Sequence, residues 1–209
     1  MHEALHERTT LLANAPQVAQ RLAFVVPAYK LFELPFYGAG LKAYDVLAGR
    51  RSLGPTEMLS ARRTQELLPT VRRQGLVGGI KYWDGQFDDA RLALLLARTA
   101  IERGAVVLNH CAVTALLRQD GRVRGLHTRD AESGEAFTLR ARCVVNAAGV
   151  WVDAVRDMDR EAGAPPKPAM VAPSQGVHLI VDRAFLPGTH ALMVPKTSDG
   201  RVLFAVPWL

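Results

Sequence analysis

The sequence predicts a mixed α/β (α+β) fold, and three observations carry that prediction. A helical run at residues 88–103 ends at Gly104 and is followed at once by the strand-like Ala105-Val106-Val107-Leu108. Three β-patterned runs between residues 113 and 142 are separated by turn residues, the pattern of an antiparallel meander. The β-branched run Cys143-Val144-Val145-Asn146 then closes on Ala147-Ala148-Gly149, which reads as a buried parallel strand with a bare tip.

Taken in order, Ala4, Leu5, Arg8, Leu11, Leu12 and Ala15 recur at helical spacing before Pro16, predicting a helix over 3–15. Leu22-Ala23-Phe24-Val25-Val26 predicts a short strand ending at Pro27. Residues 31–48 predict a helix broken early by Pro35 and stopped by Gly49; a polar connector covers 50–55. Residues 56–68 read as one or two short helices before Pro69. Residues 79–83 are strand-like, and Asp84-Gly85 marks a turn. Asp88 or Asp89 caps the next helix, which is apolar on almost every side and so is expected to be buried. Gly104 closes it. In the meander, Gln119-Asp120-Gly121 and Glu132-Ser133-Gly134-Glu135 are the turns. Residues 160–173 form a Pro/Ala/Gly-rich connector. Strands are expected at 178–181, 191–195 and 202–207, the last two joined by Thr197-Ser198-Asp199-Gly200. The apolar run up to Trp208-Leu209 suggests a piece of a longer chain.

Composition narrows the class. With 209 residues, 49% hydrophobic and 22% charged, the chain can build a real core, which excludes low-hydrophobicity disorder. No window is long and apolar enough to span a membrane, and the first residues lack a signal-peptide pattern. Two cysteines, Cys111 and Cys143, make at most one bridge and read as buried reduced thiols; no Cys/His cluster has zinc spacing. The net charge of +6 includes the pairs Arg50-Arg51, Arg62-Arg63 and Arg72-Arg73, read as a solvated basic face. No nucleic-acid-binding motif accompanies them, and an anionic lipid surface or anionic substrate is the next reading.

The bare tip at Gly149 lets a ligand touch main chain, as dinucleotide-binding folds do at the carboxyl ends of parallel strands. An ordinary α/β core with a tight turn reads equally well. Tyr82-Trp83-Asp84-Gly85-Gln86-Phe87-Asp88-Asp89-Ala90-Arg91, Val145 to Asp153, and Pro173 to Leu179 together resemble the FAD-dependent, quinone-linked glycerol-3-phosphate dehydrogenases. Glu3 to Arg8, Tyr44 to Gly49 and Ser198 to Val202 fit the same family, so the resemblance spans the chain. The family's opening Gly-x-Gly-x-x-Gly turn is missing: Gly38-Ala39-Gly40 lacks the third glycine and a preceding strand.

The resemblance implies a partial FAD-binding Rossmann-like domain with its meander, plus part of a mixed-sheet substrate domain. Residues 1–78 would belong to the substrate (cap) domain, 79–158 to the FAD domain, and 159–209 to further substrate-domain strands. It implies Val113 near the adenine, Ala147, Ala148 and Gly149 along the pyrophosphate and ribityl path with Trp151 beside them, and Ser174, Gln175 and Gly176 near the flavin ring. Trp151 reads almost as well as a core residue. His178 would take the substrate's hydroxyl proton, a task for a base near neutral pKa, against a structural reading of equal weight. Arg201 would meet the substrate phosphate, or is a solvated turn residue. His2, His6, His110, His127 and His190 read as structural or surface residues. The implied partners are glycerol 3-phosphate, a quinone and a membrane surface at the cytoplasmic face of a bacterial inner membrane, or else the cytoplasm, with a homo-oligomer allowed. The chain alone is expected to hold little or no FAD and to be inactive. The alternatives are a related amine or hydroxy-acid oxidase, and a non-catalytic piece that self-associates.

Overall fold

A computed structural model describes residues 2–160, 165 and 168–208. Part of the 160–173 connector therefore lies outside the described residues. The chain forms two compact units, one of residues 1–99 with 180–209 and one of residues 100–179.

The first unit is a five-stranded mixed sheet in the order β2 (Glu57–Ser60), β3 (Gly78–Phe87), β1 (Ala19–Ala28), β7 (Ala191–Val194), β8 (Leu203–Ala205). Helix α1 (His2–Asn14) precedes β1 (Ala19–Ala28), and α2 (Glu33–Ala48) follows it. Pro35 falls in the first turn of α2, where its missing N–H costs no helical bond, so the helix is not broken there. Strand β1 pairs antiparallel with β3 (Gly78–Phe87) in unbroken register from Ala19↔Phe87 to Ala28↔Gly78. It pairs parallel with β7 (Ala191–Val194) only at Phe24↔Ala191 and Val25↔Leu192. Pro27 is thus inside β1, beyond the reach of the β7 ladder, which explains why proline does not end the strand. Pairing also carries β3 straight through Asp84-Gly85, opposite Leu22 and Arg21, so the expected turn there is absent.

Residues 56–68 do not form helix alone. Strand β2 (Glu57–Ser60) pairs with β3, and only then does α3 (Ala61–Leu67) start, capped by the Ser60 hydroxyl accepting the Arg63 N–H. Strand β8 (Leu203–Ala205) pairs with β7, as expected. Both faces of β1 are covered. Leu22, Phe24, Val26 and Tyr82 pack with Tyr37 and Leu41 of α2. Val25 packs with Leu59, Leu68 and Leu186 on the opposite face. Burial pushes the Tyr82 phenol well above its ordinary pKa, and the hydroxyl donates to Met193 Sδ at 3.3 Å.

Helix α4 (Asp89–Glu102) starts where Asp88 Oδ1 accepts the Arg91 N–H at 3.1 Å. None of its residues is buried; Leu94 and Leu96 are 61% and 62% exposed. The expectation of a buried helix is overturned because no described layer covers it.

In the second unit the meander is as expected: β4 (Cys111–Gln119), β5 (Arg122–Asp130) and β6 (Ala136–Arg140), all antiparallel. Asp120 and Gly121 both have positive φ, 52° and 73°, the conformation of a tight type I′ hairpin. The flanking runs are different. Residues 105–108, 143–146 and 178–181 are not strands, and Val106, Val145 and Ile180 are 84%, 81% and 100% exposed. Their β-branched chemistry is present, but no described neighbour offers a ladder, and strand propensity expresses itself only through pairing. Cys143 is exposed and Cys111 half-buried, both free, so neither is the buried thiol expected.

Candidate functional site

Beyond β6 the chain of the second unit turns on Asn146. Its Oδ1 accepts the Ala148 N–H at 3.2 Å, and its Nδ2 donates to the Val152 carbonyl at 3.0 Å. Such short amide side chains close local turns readily. The result is a bend through Ala147 and Ala148 into the single 3₁₀ turn Gly149–Trp151 and helix α5 (Val152–Asp157). Gly149 adopts φ 57°, and a Cβ placed there would meet nothing within 4 Å. The tip is therefore bare and open, with Ala147 and Gly149 exposed. Trp151 is 71% exposed beside it, so the core reading of this residue is overturned.

Helix α5 in turn holds the chain that leads to His178. The Asp153 carboxylate accepts the Met170 N–H at 3.0 Å and the Val171 N–H at 3.1 Å. It also pairs with Arg156, whose Nη1 donates to the Pro168 carbonyl at 3.2 Å. The Val171 and Met170 N–H groups, then the Arg156 guanidinium, hold the Asp153 carboxyl below its ordinary pKa. Folding lowers this pKa, so the bonds contribute fully above the ordinary carboxyl range and fail as pH falls through the lowered folded value. Amide protection at Met170 and Val171, corrected for intrinsic exchange, should therefore be flat from neutral pH to about 4 and collapse below it. Protection that persists unchanged to far lower pH would contradict this account.

Beyond Val171 the chain is extended and open. Residues 172–181 make no hydrogen bond to any described residue. Ser174, Gln175, Gly176 and His178 are all exposed, and a Cβ on Gly176 would meet nothing within 4 Å. Val113 lies half-buried in β4 opposite Thr128, next to a register shift between Val113 and Ala115. The second unit thus carries every expected cofactor-side residue and His178.

Arg201 belongs to the first unit. It lies just past the β7–β8 turn, where its Nε donates to Asp199 Oδ2 at 2.7 Å and its side chain is 82% exposed. The Thr197 hydroxyl and then Arg201 keep the Asp199 carboxyl below its ordinary pKa. Of the basic pairs, Arg62 and Arg63 both pair with Glu66, and Arg72 stacks on the Tyr29 ring at 4.6 Å. His127 Nδ1 meets the Thr138 hydroxyl at 2.9 Å, a structural contact. Among the described residues no group of His, Cys, Asp or Glu could hold a metal ion, and no helix is long and apolar enough to cross a membrane.

Sequence reasoning gave no role to Asn146 or Asp153, although both stand inside quoted motifs. It also missed Arg8, whose Nη1 donates to the Tyr44 hydroxyl at 2.8 Å and to Asp84 Oδ1 at 3.0 Å. Burial, then the Asp84 charge, raises the Tyr44 pKa. This cluster ties α1 to α2 and β3, beside an open groove of about 430 Å³ lined by Arg8, Leu11, Leu12 and Gln86. Only the spacing of a buried-face arginine in α1 hinted at it.

The profile of the FAD dependent oxidoreductase family, DAO, matches residues 1–209. The mitochondrial glycerol-3-phosphate dehydrogenase of Homo sapiens is 42% identical over 99% of this chain, which spans 29% of that protein. The mitochondrial enzyme of Arabidopsis thaliana is also 42% identical over 99% of this chain, which spans 33% of it. The chain thus covers about a third or less of these relatives. Among solved structures, the glycerol-3-phosphate dehydrogenase of Bacillus halodurans, complexed with FAD, superposes with a TM-score of 0.72 at 29% identity. That match takes in 97% of this chain and 35% of the other. L-proline dehydrogenase from P. horikoshii shares the fold at a TM-score of 0.62 and 14% identity, over 98% of this chain and 54% of its own.

Proposed function

The chain belongs to the family of FAD-dependent oxidoreductases, and on that premise we propose that it serves an enzyme oxidising sn-glycerol 3-phosphate to dihydroxyacetone phosphate. The observation that carries this reading is the bare tip at Gly149 within a stretch that aligns over 99% of its length with glycerol-3-phosphate dehydrogenases.

The residues fit a flavin nucleotide. Ala147, Ala148, Gly149 and Gly176 offer main chain with nothing larger than a methyl in front of it, which a pyrophosphate or ribityl chain needs for close approach. In this reading Ala147, Ala148 and Gly149 would line the cofactor's pyrophosphate and ribityl path with Trp151 beside them, Val113 would meet the adenine, and Ser174, Gln175 and Gly176 would approach the flavin ring. The chemistry that FAD supplies when bound is hydride acceptance from the carbon of a secondary alcohol. The chain's own residues do the rest. His178 takes the C2 hydroxyl proton on an imidazole nitrogen, and Arg201 offers its guanidinium to the phosphate, exchanging its contact with Asp199 for the substrate. In this assignment the stretch 79–158 contributes the FAD side, and 1–78 with 159–209 the substrate side.

A quinone is the proposed electron acceptor, reached from a peripheral position on the inner membrane, at its cytoplasmic face in a bacterium. The 209 residues by themselves are proposed to bind less than one FAD per chain and to self-associate through exposed apolar side chains such as Leu94, Val145 and Ile180. The test is a substrate panel on the full-length enzyme carrying this stretch, scoring loss of oxidised-flavin absorbance under anaerobic conditions. Glycerol 3-phosphate should bleach the flavin, whereas proline, glycine and other amine or hydroxy-acid substrates should not. Preference for an amino acid would move the protein to the oxidase branch of the family.

A further inference from the structure

The mechanism proposed above uses His178 but leaves open what fixes its position, since residues 172–181 bond to no described residue. The last anchored point before His178 is Val171, seven residues earlier, and its anchor is Asp153. Two hydrogen-bonded links run in series within this unit. Asn146 ties the bend at Ala148 to Val152, the first residue of α5. One residue on, Asp153 ties α5 to Met170 and Val171, while Arg156 adds the Pro168 carbonyl. Asp153 uses both of its oxygens this way: Oδ2 accepts the two successive N–H groups, and Oδ1 takes the Arg156 guanidinium and shares the Met170 N–H. A carboxylate is needed for that geometry, because an amide has only one acceptor atom.

We propose that Asp153 is a positioning residue: through Met170 and Val171 it fixes where the segment bearing His178 leaves α5, the helix that follows the tip at Gly149. The proposal rests on the reading of His178 as the proton acceptor. Asp153 spends both carboxylate oxygens on Met170, Val171 and Arg156, so its role in this proposal is to hold the chain rather than to contact substrate. Its effect is geometric, and a displaced base loses turnover more than it loses substrate binding.

Two measurements test it. In the 209-residue chain, hydrogen exchange is followed in Asp153→Ala and Asp153→Asn. The Met170 and Val171 amides should exchange roughly 10–100-fold faster in the alanine variant, and by less in the asparagine variant, while β4, β5 and β6 are unchanged. Unchanged exchange at Met170 and Val171 overturns the proposal. If the alanine variant also loses meander protection, the asparagine variant decides on the same criterion. In the full-length enzyme, Asp153→Asn should lower kcat by about 10–100-fold with KM for glycerol 3-phosphate and flavin content little changed. Added to His178→Ala, it should cost nothing further, since both act through one group. Additive losses, or loss of flavin, would make Asp153 a structural residue only. If His178→Ala alone leaves turnover intact, the His178 reading falls and takes the positioning role with it, whatever the exchange data give. The exchange result thus separates a failed clamp from a failed base.

Discussion

Replacing His178 with alanine in the full-length enzyme should lower turnover on glycerol 3-phosphate by about 10²–10⁴-fold, the range that a positioned general base contributes. The chemical reason is proton bookkeeping. A secondary alcohol that gives up hydride from carbon must also lose its hydroxyl proton, or a protonated ketone of very high energy results. His178 is exposed, and no described group holds its ring. It is therefore free to turn an imidazole nitrogen toward a substrate. Glutamine keeps a hydrogen-bonding head of similar reach but has no site that accepts a proton near neutral pH. Under the proposed role His178→Gln is as slow as His178→Ala, and the slow step gains sensitivity to solvent pH. If glutamine restores most of the turnover, His178 only orients the substrate. Unchanged turnover in both variants removes it from the chemistry.

Gly125→Ala should be the most damaging single methyl in the second unit. Gly125 lies inside β5, opposite Leu117 and Arg140, where the β4 ladder shifts register between Leu117 and Arg118. Its φ of 153° is one that side-chain-bearing residues rarely adopt. A Cβ there would stand 2.0 Å from the Leu139 carbonyl oxygen, far inside contact distance and against backbone, which cannot swing aside. Strand β6 would have to part from β5. Strain and the lost ladder together should cost roughly 3 kcal/mol or more. Among the described residues of the second unit, only Gly125 and Thr128 are buried. The meander therefore has a small core with which to absorb that cost. Urea denaturation of the chain and exchange at β4, β5 and β6 measure it. A shift below about 0.5 kcal/mol would mean that the strand pair relaxes around the methyl.

How much was legible in the sequence depended on whether the signal was local. The meander announces itself through Asp120-Gly121 and Gly134, which set turns within a few residues, and the structure has it. The start of α4 is legible as a cap at Asp88 or Asp89, and the structure uses Asp88, again a contact three residues long. Signals that need a distant partner misled. Val106, Val145 and Ile180 have strand chemistry and no strand, because nothing among the described residues pairs with them. The reverse error occurred at residues 57–60 and at Asp84-Gly85, where weak local preferences were overridden by β3 and β1 respectively. At the candidate site the small residues at 147–149 were found because the absence of bulk is visible in a sequence. Asp153 was not, since its value lies in amides at 170 and 171 that only folding brings to it.

The pairing of β1 with β7 has a kinetic meaning. Phe24 lies alongside Ala191, so the middle of the first sheet cannot close until β7, far along the chain from β1, has been synthesised. The segment that leaves after α4 and returns before β7 must be spooled out first, and joining ends so far apart along the chain is slow. Until then the nascent β1 carries a naked, strongly apolar flank on the ribosome. That is where a chaperone would bind, and where misassembly during overexpression would begin.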